Sequence, residues 1–100
     1  MMLNYIKEYG ITDADYIYIT HNLNRNIIET MILTEPNIRK VLAFYNSLGI
    51  TKNIAKIIME RPDLIIIPKE SLSNLLTRID RDLLVTIIDN DLNDLILLGI

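Results

Sequence analysis

The sequence predicts an all-α fold: one domain over residues 1–100, built as a compact array of seven to eight short antiparallel helices. Three observations predict it. Apolar residues recur at helical period along most of the chain, and a glycine or proline stands near the end of most of those stripes. The third is composition: half of the 100 residues are apolar, enough for one continuous core with no cysteine to staple it. Twenty Ile and fifteen Leu supply most of that half.

The elements follow in order. Leu3 to Tyr9 makes a short helix stopped by Gly10, because glycine accepts the left-handed conformation that closes a helix. Thr12 followed by Asp15 is a capping arrangement for a helix running to about Asn22. The Asn-rich stretch Asn22 to Asn26 is a break, and a third helix runs from Arg25 to Leu33. After Pro36, Ile38, Val41, Leu42, Tyr45 and Leu48 fall on one helix face, with Arg39, Lys40, Asn46 and Ser47 on the other side, and Gly49 ends the helix. Thr51 is placed to cap the next helix, whose stripe is Ile54, Ile57 and Ile58 and whose outward positions are Lys52, Lys56 and Glu60. Pro62 limits it, since proline disfavours helical geometry in the residue before it. Beyond Pro68, Leu72, Leu75, Leu76 and Ile79 form another stripe, and Asp80 caps a helix carrying Leu83, Leu84, Ile87 and Ile88. Asp89 to Asp91 open a last helix, Leu92 to Leu98, stopped by Gly99. Two segments also suit a strand: Asp15 to Thr20, which alternates Tyr and Ile, and the branched run Ile65 to Ile67. Two such segments alone make an independent sheet a poor alternative.

The formal charge of −3 conceals an asymmetry. Residues 1–38 carry a net −3, residues 39–81 a net +4, and residues 82–100 a net −4 with no base at all. A basic middle between acidic ends fits either a polyanion-binding face or segments that attract one another. No apolar run approaches the ~20 residues that cross a bilayer, and the first residues lack the basic-then-apolar pattern of a secretory signal. A cytoplasmic, intracellular protein with no membrane partner is therefore the expectation.

Tyr5 to Thr12 matches Phe44 to Thr51 in pattern at an offset of 39 residues, and Leu98-Gly99-Ile100 repeats the Gly-Ile hinge a third time. That offset lies in the range of helical-repeat proteins, although helix, glycine and apolar residue is also a generic helix ending. Within Val41 to Ile66, the sequence Leu48-Gly49-Ile50, then Ile54, Ile57 and Ile58, then Arg61-Pro62-Asp63-Leu64-Ile65 resembles the repeat of the mitochondrial transcription termination factor (mTERF) family. The resemblance implies stacked helical units that bind nucleic acid along a basic groove. By position it nominates Arg39, Lys40, Lys52, Lys56, Arg61, Lys69, Arg78 and Arg81. A helix-turn-helix centred on Gly49 would put Thr51, Lys52, Asn53 and Lys56 on the outward face of its second helix. Against it stands Tyr45, where the tight crossing requires a small residue.

Catalytic chemistry finds little to work with. His21 is the one histidine, so no multi-histidine metal site or complete Ser-His-Asp set with a nucleophile elbow is expected, and the three separate glycines form no phosphate-cradling loop. Asp80, Asp82, Asp89, Asp91 and Asp94 lack the spacing of a calcium loop, and Asp80, Asp89 and Asp91 suit helix starts instead. The reading is a non-enzymatic interaction module with no cofactor and no small-molecule substrate, partnered by itself or another protein, with nucleic acid as the alternative. Four of five tyrosines lie in the first eighteen residues, and Tyr18 falls off the apolar stripe as a candidate contact. The last helix is apolar nearly all round, which requires a central position or a partner and nominates Leu92, Leu95, Ile96, Leu97, Leu98 and Ile100 as an interface.

Overall fold

A computed structural model describes residues 3–100. In chain order it contains the 3-10 helix η1 (Asn4–Tyr9), the α-helices α1 (Asp13–Asn22), α2 (Arg25–Leu33), α3 (Glu35–Ser47), α4 (Ile54–Glu60), α5 (Asp63–Ile66), α6 (Lys69–Leu76) and α7 (Arg81–Asn90), and a second 3-10 helix, η2 (Leu92–Leu98). The described residues are all-helical, with nine short helices rather than seven or eight, and no strand. The additional element is α5. Ile65 and Ile66 belong to it, and only Ile67 is extended (φ −61°, ψ 144°), as expected of a residue before proline. Asp15 to Thr20 is helical too: the Thr12 hydroxyl oxygen accepts from the Asp15 N–H at 3.1 Å and sets α1 in register.

The thirteen-residue α3 organises the core. It buries Ile38, Val41, Leu42 and Tyr45, and it packs against η1, α2, α5 and α6. Around it Leu3, Ile6, Ile19, Met31, Ile54, Ile58, Ile65, Leu72 and Leu92 are fully buried, so one apolar cluster runs through the whole molecule. The radius of gyration is 12.8 Å, close to the ~13 Å of a compact 100-residue domain.

Two capping expectations change. Thr51 does not cap α4, which begins only at Ile54, the first buried residue of its stripe; the Asn53 side chain turns away to donate to the Asp89 carboxylate of α7. Asp89 lies inside α7, leaving Asp91 alone to cap η2 by accepting from the Asn93 N–H at 3.0 Å. Asp80 caps α7 as its spacing predicts, accepting from the Leu83 N–H at 3.2 Å.

Tyrosine hydroxyls close two of the short helices. The Tyr5 hydroxyl donates to the Met31 carbonyl at 2.7 Å near the end of α2, and the Tyr45 hydroxyl donates to the Leu64 carbonyl at 2.8 Å in α5. Helix C-termini leave carbonyls without intrahelical donors, and for Leu64 the residue four positions on is Pro68, which has no N–H. Burial, reinforced by the charge of Glu35, pushes the Tyr5 phenol above the usual tyrosine range, and burial with Asp63 does the same to Tyr45. Tyr5 therefore points its hydroxyl inward, to the Met31 carbonyl.

Candidate functional site

The nominated basic residues divide among several settings. Arg39 is absorbed at the junction of η1 and α3, where it pairs with Glu35 at 2.8 Å and Glu8 at 3.1 Å and lies 5.1 Å from the centre of the Tyr5 ring. The hydrogen bonds it donates to the Glu8 and then the Glu35 carboxylate raise its pKa, so it is held as a cation in this network. Arg61 forms a two-point contact with Asp63, at 3.1 and 2.9 Å, and donates to the Ile100 carbonyl at 2.6 Å. The Arg61 hydrogen bond holds the Asp63 carboxyl below its usual range. Lys56 reaches the Ile88 carbonyl of α7 at 3.3 Å. Lys52, Arg78 and Arg81 are exposed, the first in the loop before α4. Lys52 and Asn53 thus do not share a helix with Lys56 as the helix-turn-helix placement requires.

Lys40 and Lys69 do come together. With Ala43, Phe44, Ser47 and Glu70 they line a concavity of about 480 Å³ between α3 and the start of α6. Lys40, Ala43, Phe44 and Ser47 stand at i, i+3, i+4 and i+7 on one face of α3, a spacing through which the sequence could have revealed the site. Asn37 fixes the second wall: its side-chain amide donates to the Ile67 carbonyl at 2.9 Å and its oxygen accepts from the Lys69 N–H at 3.0 Å. This bridge ties the first residue of α6 to α3. The Lys69 ammonium lies 5.6 Å from the centre of the Phe44 ring, a cation–π contact. Among the described residues neither Lys40 nor Lys69 has a carboxylate within ion-pair distance, in contrast to Arg39 and Arg61.

The last helix is split between core and surface. Leu92 and Leu95 are buried against the rest of the fold and are not available to a partner; they stand three residues apart on one face of η2, whose last position, Leu98, is no longer covered. Ile96, Leu97 and Leu98 face outward, 62%, 83% and 46% exposed. Their position is fixed at the end of the helix: the Gly99 N–H donates to Ile96 and the Ile100 N–H to Leu95, each at 3.0 Å, with Gly99 left-handed (φ +79°). Ile100 is half-buried. Asp91 and Asp94 flank the outward edge, both exposed.

Elsewhere Ile17, Tyr18 and Leu33 are exposed on α1 and α2. Near them Thr20, Leu23, Arg25, Ile28, Glu29 and Ile32 line a second cavity of about 250 Å³. The His21 ring nitrogen Nδ1 lies 2.7 Å from the Ile17 carbonyl, an exposed contact within α1. The five C-terminal aspartates do not gather: among the described residues no three carboxylates or histidines stand close enough to hold a metal ion. Nor is any helix among them long and apolar enough to cross a membrane. No known family profile, curated protein or solved structure matches the chain.

Proposed function

We propose that this chain is a small helical interaction module, not an enzyme, and that it docks protein, in the first place its own kind, through the outward edge of η2. One observation carries the reading: three consecutive large apolar side chains, Ile96, Leu97 and Leu98, are held in water by a helix whose other side is locked into the core. Arg61, the Gly99 closure and the Asp91 cap all fix η2 in place, so the edge does not reach cover by a small shift of the helix. Contiguous exposed apolar residues with a polar rim mark contact surfaces.

The mTERF resemblance supports a second reading, a helical-repeat nucleic-acid binder using residues 39–81. What favours it is the joint presence of Lys40, Lys69 and the Phe44 ring in one concavity, the pairing of phosphate-binding cations with a stacking surface. Against it, Arg39 and Arg61 are taken up by carboxylates within the fold.

Sedimentation equilibrium of the full chain tests the first reading. Its mass rises above 11.6 kDa with concentration, and Leu97→Asp, an exposed change, returns it to the monomer. A wild-type chain that stays monomeric, or a Leu97→Asp variant that associates unchanged, defeats the reading.

A further inference from the structure

We infer that the η2 edge of one chain seats in the α3–α6 concavity of a second copy, with Leu97 against Phe44 and Ala43 and Asp94 facing Lys40 and Lys69. The inference rests on the docking role of η2 and adds the surface that receives it. Charge complementarity commits it to a second copy. The net +4 of residues 39–81 and the net −4 of residues 82–100 belong to one chain, and the ions left without a salt bridge include the two lysines of the concavity and Asp94 beside the apolar edge. Glu70 is the single acid of the concavity, whose lining therefore keeps a net positive charge.

Shape and surface chemistry agree with charge. The concavity, about 480 Å³, is broadly open to solvent, so a partner's side chains can enter it without any movement of its walls. Its lining joins the exposed Ala43 methyl and the half-buried Phe44 ring to the polar groups of Lys40, Ser47, Lys69 and Glu70, which suits an apolar side chain with an acid beside it. The Asn37 bridge holds both walls before any partner arrives, so ordering costs on docking are small. Each copy carries both an edge and a concavity, so every chain can both give and receive the contact.

Charge reversal and mixing of full chains test this. Lys40→Glu/Lys69→Glu weakens self-association about tenfold or more, and Asp94→Lys does likewise, since like charges then oppose across the contact. An equimolar mixture of the two variants restores a complex, because each supplies what the other lacks; added salt weakens the wild-type assembly. Lys40→Glu alone, at an exposed position with no internal partner, serves if the double variant loses its helical circular dichroism. Unchanged assembly by the lysine variants overturns this inference and, if Leu97→Asp is monomeric, leaves the docking role of η2 standing. Failure of the mixture to recover association also overturns it. A monomeric wild type overturns both readings, and single-stranded oligonucleotide bound by that monomer but not by Lys40→Glu/Lys69→Glu would assign the concavity to nucleic acid instead.

Discussion

Replacing Tyr45 by Phe deletes one oxygen atom at a position that is 1% exposed and leaves the Leu64 carbonyl, in an equally dry part of the core, without its 2.8 Å donor. A neutral hydrogen bond contributes about 1 kcal/mol net, but a buried acceptor left unmade costs about 1–3 kcal/mol. Pro68 cannot donate in the hydroxyl's place, so Tyr45→Phe should cost about 2 kcal/mol. For a domain of this size that is a fall in Tm of roughly 8–16 °C. Tyr45→Ala, the small residue a helix-turn-helix would have had there, also opens a cavity of the kind that costs about 3–5 kcal/mol for a large aromatic. The sum approaches the ~5–15 kcal/mol total stability of a typical domain, and this variant should be largely unfolded at ambient temperature. Urea titration followed by circular dichroism measures both, with Tyr18→Phe, at an exposed site, as a control expected to stay within about 0.5 kcal/mol. A Tyr45→Phe chain that matches the control at unchanged m-value would refute the argument that this hydroxyl terminates α5.

The glycine hinges are not equivalent. Gly10 and Gly99 both have positive φ (+99° and +79°), but a Cβ on Gly10 would meet the Thr51 carbonyl oxygen at 3.0 Å whereas one on Gly99 meets nothing within 4 Å. Gly99→Ala should therefore cost about 1 kcal/mol of conformational strain and Gly10→Ala clearly more, read as separate denaturation midpoints; equal midpoints would contradict the close approach. The Arg61–Asp63 contact should show in pH dependence. Because Asp63 is held below its usual pKa, its contribution is complete above the ordinary carboxylate range and is lost as pH falls through the lowered value. Asp63→Asn should cost about 0.5–1 kcal/mol at neutral pH, the scale of a partly exposed pair, and nothing in strong acid. A stability gap that persists there would exclude the ion pair as its source.

Local signals were legible where one residue decides the outcome. Thr12, Asp80 and Asp91 cap the helices their spacing assigns them, and Gly49 and Gly99 close theirs in the left-handed conformation. The signal failed where a distant partner competes. Asn53 donates to Asp89, thirty-six residues away, and α4 begins only at Ile54 with Thr51 outside it. The branched run at 65–67 looks like a strand by propensity, yet with no second strand beside it the Pro62–Asp63 start makes a turn of helix. The candidate site divides the same way: the apolar surplus of the last nine residues is plain in the sequence, but which of them face water depends on how η2 lies against the fold, which covers Leu92 and Leu95.

By itself, the sequence determines an all-helical chain with one apolar core, three Gly-Ile hinges and charges of −3, +4 and −4 in succession. The helices and hinges are properties of neighbours within a turn or two, which local sterics and periodicity settle, and the single core and the charge sums follow from composition. Only the tertiary structure decides that Arg39 and Arg61 are spent inside the fold while Lys40 and Lys69 meet over Phe44, and that Ile96, Leu97 and Leu98 are left outside. The reason is physical: which charges pair and which apolar groups find cover depends on contacts between residues some thirty or more positions apart, such as Asn37 with Ile67 and Arg61 with Ile100, and no local pattern encodes them.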